Sequence, residues 1–350
     1  MSGTSNLGAN VTTTGTQTYN GATTLETADR NLTASTVNFG DTITGTTSHD
    51  LTITGNLDLD GALTSVVDLS VSGTSNLGAD VTTTGTQTYT GAVTLSTDVT
   101  LTTTDSNVTF SSTVDGYGTA RDLTIDTNGN TSTILFDGLV GNSNDLDAIT
   151  ITGNLDLDAA ISNTTSISVS GTSNLGANVT TSGTQTYTGN ATINGNRTLT
   201  TTNSNVTFSG TTNAASAGDT LTIAAGSGDV TFTGAVGGTT ALGNTTITTG
   251  ALSAANMTVQ GTIDVTNTSA SSITGVIADG ASAAILTKAG VGTLTLSGNN
   301  TYTGLTTINA GTLKATVNNA LGTNAAGTVI ASGATLDLAN VTYSTTEAIT

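Results

Sequence analysis

His49 is the only histidine in the 350 residues, and an acid, Asp50, follows it directly. A hydrolytic relay built on that pair would need the carboxylate to hold the imidazole and a serine within reach of its far nitrogen. Side chains adjacent on a strand point to opposite faces, so Asp50 is badly placed to orient the ring, and a solvent-facing corner histidine is the expectation. Without cysteine there is no thiolate, and one histidine cannot build an imidazole cage for zinc. The acids offer more. Asp58 and Asp60 in GNLDLDG, and Asp156 and Asp158 in GNLDLDA, lie two residues apart, which puts each pair on one outward strand face with its carboxylates roughly 7 Å apart. An acid from an adjacent turn would complete a set of oxygens for Ca²⁺, which takes about six to eight. The nonapeptide of dedicated Ca²⁺ rolls, GGxGxDxUx, is absent, and Gly226-Ser227-Gly228-Asp229-Val230 is only a fragment of it. Glycan cleavage in a groove needs Lys or Arg beside the acids, and the nearest pair, Arg121 and Asp122, are strand neighbours that diverge. The expectation is no enzyme, with no catalytic, cofactor-binding or metal-binding residue and no cofactor.

Something must carry these residues, and the pattern around them is that of short strands. Apolar residues recur two apart at Leu51 and Ile53, Leu57 and Leu59, Leu69 and Val71, Val108 and Phe110, Leu123 and Ile125, Leu155 and Leu157, Leu221 and Ile223, Leu294 and Leu296, and Leu336 and Leu338. That period puts both side chains on one face and the intervening Thr, Ser or Asp on the other. Between the runs stand Gly-Asn pairs, such as Gly55-Asn56 and Gly153-Asn154, which turn the chain at little cost. Strands this short suit a coil that turns every few residues. At roughly 20 to 28 residues a turn and about 4.8 Å a layer, about 13 to 17 coils would make a rod on the order of 60 to 80 Å long. Absence of proline fits, because each coil's N–H groups must pair with the next. An antiparallel sandwich would ordinarily show a buried Trp or comparable aromatics, and there is no Trp.

The block SGTSNLGANVTTTGTQTYNG at residues 2–21 returns at 72–91 and at 170–189, each successive pair differing at two positions. Such arrays are stabilised by contacts between neighbouring units and make long surfaces rather than enclosed pockets. The last two blocks are 98 residues apart and the first two only 70, a deficit of 98 − 70 = 28 that reads as one whole turn missing between Gly21 and Asp50. Asn6, Asn76 and Asn174, in the SNLGA of each block, are expected to face inward and stack as ladders. The expected organisation is a single continuous β-helix segment over 1–350, with super-repeats starting near 2, 72 and 170.

Twenty-four acids against five bases leave a net charge of −19, and Arg30, Arg121, Arg197, Lys288 and Lys314 are scattered singly. A phosphate-binding surface needs clustered cations, so nucleic acid is excluded as a partner. The acidity is read as like-charge repulsion that keeps a Thr-coated β surface soluble. No stretch approaches the ~20 apolar residues of a membrane helix, and MSGTSNLGAN has no basic start or apolar run of a secretory signal. Met1 set directly before a repeat block suggests a segment of a longer protein.

Residues 290–315, GVGTLTLSGNNTYTGLTTINAGTLKA, resemble the autotransporter-associated β-strand repeat of type V secreted passengers. The marks are Gly292-Thr293-Leu294-Thr295-Leu296, then Gly298-Asn299-Asn300-Thr301-Tyr302-Thr303-Gly304, then Gly311-Thr312-Leu313. GDVTFTGAVGGTTALGNTTI at 228–247 is similar in style to filamentous-haemagglutinin-like adhesins. The resemblance implies an all-β, right-handed parallel β-helix, exported unfolded through an outer-membrane translocator that is not in this segment. It further implies residence outside, or at the surface of, a Gram-negative cell. The expected function is a structural stalk or adhesive passenger segment of an adhesin meeting a host or neighbouring-cell surface. The alternatives are a self-assembling extracellular filament or sheath subunit, with self-association, and a β-helical polysaccharide-active enzyme.

Overall fold

The structure, a computed structural model, describes residues 3–26, 28–45, 48–129, 131–339, 341 and 347–350. Among them the regular elements are all strands, and no helix occurs. The strand pairings are parallel, as a chain that always winds one way requires, and the one antiparallel contact among the described residues is an isolated bridge between Tyr117 and Thr119. This is a parallel β-solenoid of about 16 turns. It divides into two compact units, Met1–Gly171 and Thr172–Thr350.

In the first unit the coil has three sides, each stacking into a ladder. One side runs Ser5, Thr23, Ile43, Leu63, Val81, Leu101, Ile125, Ile151 and Val169. A second runs Val11, Leu32, Ile53, Val71, Tyr89, Phe110, Phe136 and Leu157. The third runs Tyr19, Phe39, Leu59, Leu77, Leu95 and Gly116, and continues through bridges from Val114 to Val140 and Ile161. Ser5–Leu7 of the first block is on the first side, whereas Ser75–Leu77 of the second is on the third. The first block reaches the strand that precedes the next copy, Leu69–Val71, after three turns and one side. The second reaches the matching strand, Ile161–Val169, after four turns and one side. The 28-residue deficit is therefore one whole turn.

The second unit repeats the plan. Val179, Leu199, Ile223, Ile247, Val265, Lys288, Ile308 and Ile330 form one ladder. Tyr187, Phe208, Phe232, Ala254, Ile273, Leu296 and Ala315 form another. The third begins Ser173, Ala191 and Thr212 and continues by bridges through Val236 and Met257 towards Ile277.

The interior is narrow and aliphatic, with rings stacked along the ladders. Tyr89, Phe110 and Phe136 follow one another at 5.3 and 5.1 Å, and Tyr187, Phe208 and Phe232 at 4.9 and 5.2 Å, with ring planes within 16° of each other. These spacings follow the ~4.8 Å strand separation, so one aromatic per turn at a fixed register position stacks without distorting the sheet. The apolar pairs that alternate in sequence are buried, apart from Leu336 and Leu338, which are half-buried. Leu336 is in the strand Thr335–Asp337 and Leu338 just beyond it, and that strand has a neighbour on one side only among the described residues.

The asparagines of SNLGA face outward, not inward. In Ser5–Leu7, Ser75–Leu77 and Ser173–Leu175 the two ends are buried and the central Asn is not. The small serine and the leucine fill the narrow core, and the two-residue period leaves the Asn no choice. Inter-turn bonds form on that outer face instead: Asn6 bonds Glu26, and Asn76 Nδ2 donates to Asp58 at 2.8 Å.

Corners are held by Asn and Asp in the position just before a strand. Asn107 Oδ1 accepts the Thr133 N–H at 2.8 Å, Asn205 that of Asp229 at 2.8 Å, Asp80 that of Thr100 at 2.7 Å and Asn244 that of Thr262 at 2.9 Å. Each bond crosses to the next turn and satisfies an amide at the bend, where the ladder gives it no carbonyl. Much of the acidity is thus structural.

Candidate functional site

The residues singled out for chemistry do not converge. His49 Nδ1 lies 3.6 Å from Asp29 Oδ1, an acid of the preceding turn, while the Asp50 carboxylate accepts the Asp68 N–H at 3.2 Å. Asp122 accepts the Ala148 N–H at 2.9 Å and is not paired with Arg121, whose buried Nε has no hydrogen-bond partner among the described residues. Asp229, in the Ca²⁺-roll fragment, accepts the Ala251 N–H at 2.9 Å. Asp58 is engaged by Asn76, and Asp60 is exposed. The Asp158 carboxyl is pushed up, by burial first and then by the charges of Asp156 and Asp137. Among the described residues no three His, Asp or Glu side chains are grouped to hold a metal ion.

The interior, in contrast, holds polar groups that the sequence reading passed over. In every block a glutamine points inward. Gln87 Nε2 donates to Val81 O at 3.2 Å, Thr83 Oγ1 at 3.3 Å and Thr102 O at 3.0 Å, and the Tyr89 hydroxyl donates to its Oε1 at 3.1 Å. Gln17 with Tyr19, and Gln185 with Tyr187, repeat this within 0.2 Å. Burial pushes the Tyr89 and Tyr187 phenols well up. The signal was present as Gln-x-Tyr, where the two-residue period puts Gln on the same face as the buried ring. Two of the five basic residues are also buried. Arg30 donates Nε to Leu7 O at 2.5 Å and Nη1 to Asp29 O at 2.9 Å.

Lys288 stands in an aliphatic ladder between Val265 and Ile308, fully buried. Its ammonium donates to Ala289 O at 2.6 Å, Gly290 O at 2.9 Å and Ala310 O at 3.2 Å. Burial lowers its pKa to about 8. The turn it begins uses its other marked residues in the same way. Asn300 is buried, accepting the Ile277 N–H at 2.7 Å and donating to Ala320 O at 2.6 Å. The Tyr302 ring is buried, its hydroxyl 2.6 Å from Thr306 Oγ1. Thr303 gives its N–H and its hydroxyl to the Asp279 carboxylate at 3.0 and 2.7 Å. Gly298 is required for space, because a Cβ there would lie 1.9 Å from Gly275 O. Leu286 pairs with Thr306 and Thr293 with Thr312, so the segment is one closed turn with the next begun.

That turn decides the comparison with known proteins. Residues 286–315 match the passenger-associated-transport-repeat family. The match and the solenoid together fit an autotransporter passenger repeat domain. It begins four residues before the resemblance read from sequence, at Leu286, and so takes in Lys288. Neither the curated proteins nor the solved structures offer a match.

Proposed function

We propose that this chain is a passenger segment of a surface-displayed adhesin, without catalysis, acting as a stalk whose flanks contact a host or neighbouring cell. One observation carries the reading: in the turn that matches the transport repeat, the side chains of Lys288, Asn300, Tyr302 and Thr303 are engaged in hydrogen bonds within or between turns. A motif occupied in this way builds the stack of turns, which supports the reading of a structural segment. Export through an outer-membrane translocator and life outside a Gram-negative cell belong to the same proposal.

Display tests it. With the chain placed between an export signal and a translocator barrel, intact cells should lose the protein to added protease, and beads coated with purified chain should adhere to epithelial cells above albumin-coated controls. Protein that stays protected inside intact cells, or beads that bind no better than albumin, would sink the proposal. Electron microscopy of the same preparation tells isolated particles from fibres, the outcome expected of a filament subunit. Release of reducing ends from pectin-like glycans would reveal an enzyme.

A further inference from the structure

The chain has six tyrosines and five phenylalanines, and all but Tyr343 are among the described residues. Nine of these ten rings are at most 3% exposed; the tenth, Tyr117, is 67% exposed. It stands over an open pocket of about 380 Å³ lined by Asn76, Thr94, Ser96 and Tyr117, within the range of small-molecule sites. Asn76, Thr94 and Asp115 are register partners on three successive turns, and Tyr117 follows two residues after Asp115. Its N–H donates to Leu95 O at 2.9 Å, the Thr119 N–H returns to its carbonyl at 2.9 Å, and Gly118 turns the chain at φ 73°. The ring is thus held out from a backbone fixed on both sides, a preorganised arrangement.

The other two blocks act as internal controls. Leu7 pairs with Leu25 as Leu77 pairs with Leu95, so the longer, charged Glu26 occupies the position of Ser96, where it bonds Asn6. In the third block that position is Asn194, whose carbonyl accepts from Arg197 Nε at 2.5 Å. Ala215, whose N–H donates to Ile193 O at 2.7 Å, stands there in the place of Tyr117. Only in the second block are a small residue and an exposed ring combined over the same outer face.

We propose that this pocket binds a neutral pyranose sugar. A pyranose presents a face of C–H bonds that packs on an aromatic ring, and a rim of hydroxyls that both donate and accept. The lining matches: one ring, two hydroxyls and an amide. Asn76 gives Nδ2 to Asp58, which turns its carbonyl oxygen into the remaining acceptor. No cation lines the pocket and the chain carries −19, so phosphorylated or sulfated ligands are repelled. The inference deepens the adhesive reading and rests on it for its biological sense, by naming the chemistry of a target surface.

The test is saturation-transfer NMR on the purified chain with methyl α-glucopyranoside, methyl α-mannopyranoside and methyl β-galactopyranoside, and glucose 6-sulfate as the charged contrast. At least one neutral glycoside should receive transfer on its ring protons. Tyr117→Ala and Ser96→Glu, the latter copying the first block, should each weaken it by at least about tenfold. Circular-dichroism melts that match the parent would show that both variants are folded. No transfer to any neutral glycoside, equal binding by folded Tyr117→Ala, or tighter binding of the sulfate overturns the proposal. Because the assay needs no export, failure of surface display and failure of sugar binding are separate results.

Discussion

The amide of Gln87, deep beside Tyr89, donates to Val81 O, Thr83 Oγ1 and Thr102 O, and its oxygen accepts the Tyr89 hydroxyl. Replacing Gln87 by Ala removes these bonds and takes the acceptor from the buried Tyr89 hydroxyl, at about 1 to 3 kcal/mol for a buried polar group. Gln87→Ala is expected to lower stability by about 2 to 4 kcal/mol, read as a fall in the urea midpoint, while Thr88→Ala on the outer face of the same strand changes little. Lys288 predicts a pH dependence. Its folded pKa, about 8, is below the 10.5 of a free lysine. Below pH 8 folded and unfolded chains both hold the proton and the burial penalty is fully present. As pH rises from about 8 to 10.5 the folded chain gives up its proton first, so stability increases through that window. Lys288→Met, which keeps the stem and drops the charge, should lack this increase when the two proteins are unfolded in parallel from pH 7.5 to 10.5.

At the scale of the strand and its corner, an Asn or Asp just before a strand acts as a staple to the next turn. Asp68 accepts both the N–H and the hydroxyl of Thr86, at 2.5 and 2.9 Å. Asp68→Ala should cost about 1 to 2 kcal/mol, and Asp68→Asn, which keeps an acceptor oxygen, less than half of that, by urea unfolding. Much of this level was legible beforehand. Pairs such as Leu123 and Ile125 are marked by their apolar character and are buried on one ladder. Where polarity and parity disagree, local pattern misleads: Ser75 is small and polar yet buried, which turns its neighbour Asn76 to the outer face instead of inward. The inward position of Lys288 is hidden in the same way, since its charge masks the two-residue spacing from Leu286 that places it inside. The Tyr117 pocket was beyond any local pattern, because its lining meets only when turns separated by about 20 residues are stacked.

At the scale of the molecule, each unit is an array whose stability is a sum over turns and their contacts, which makes register the quantity to protect. In the second unit Leu199 and Ile223 are register partners 223 − 199 = 24 residues apart. Deleting residues 199–222 should leave strand circular dichroism per residue and a sharp urea transition. Deleting only 199–210 throws the following strands out of step and should abolish the transition. In the first unit the same Gln-Thr-Tyr strand is on one side of the coil in the first block and on another in the second. No side, then, demands its own sequence. Unequal crossing-over between the stretches of gene that encode these two blocks would excise 70 residues and still leave a chain able to wind. Such a protein can change its length across generations by recombination alone, without a search for new folding instructions.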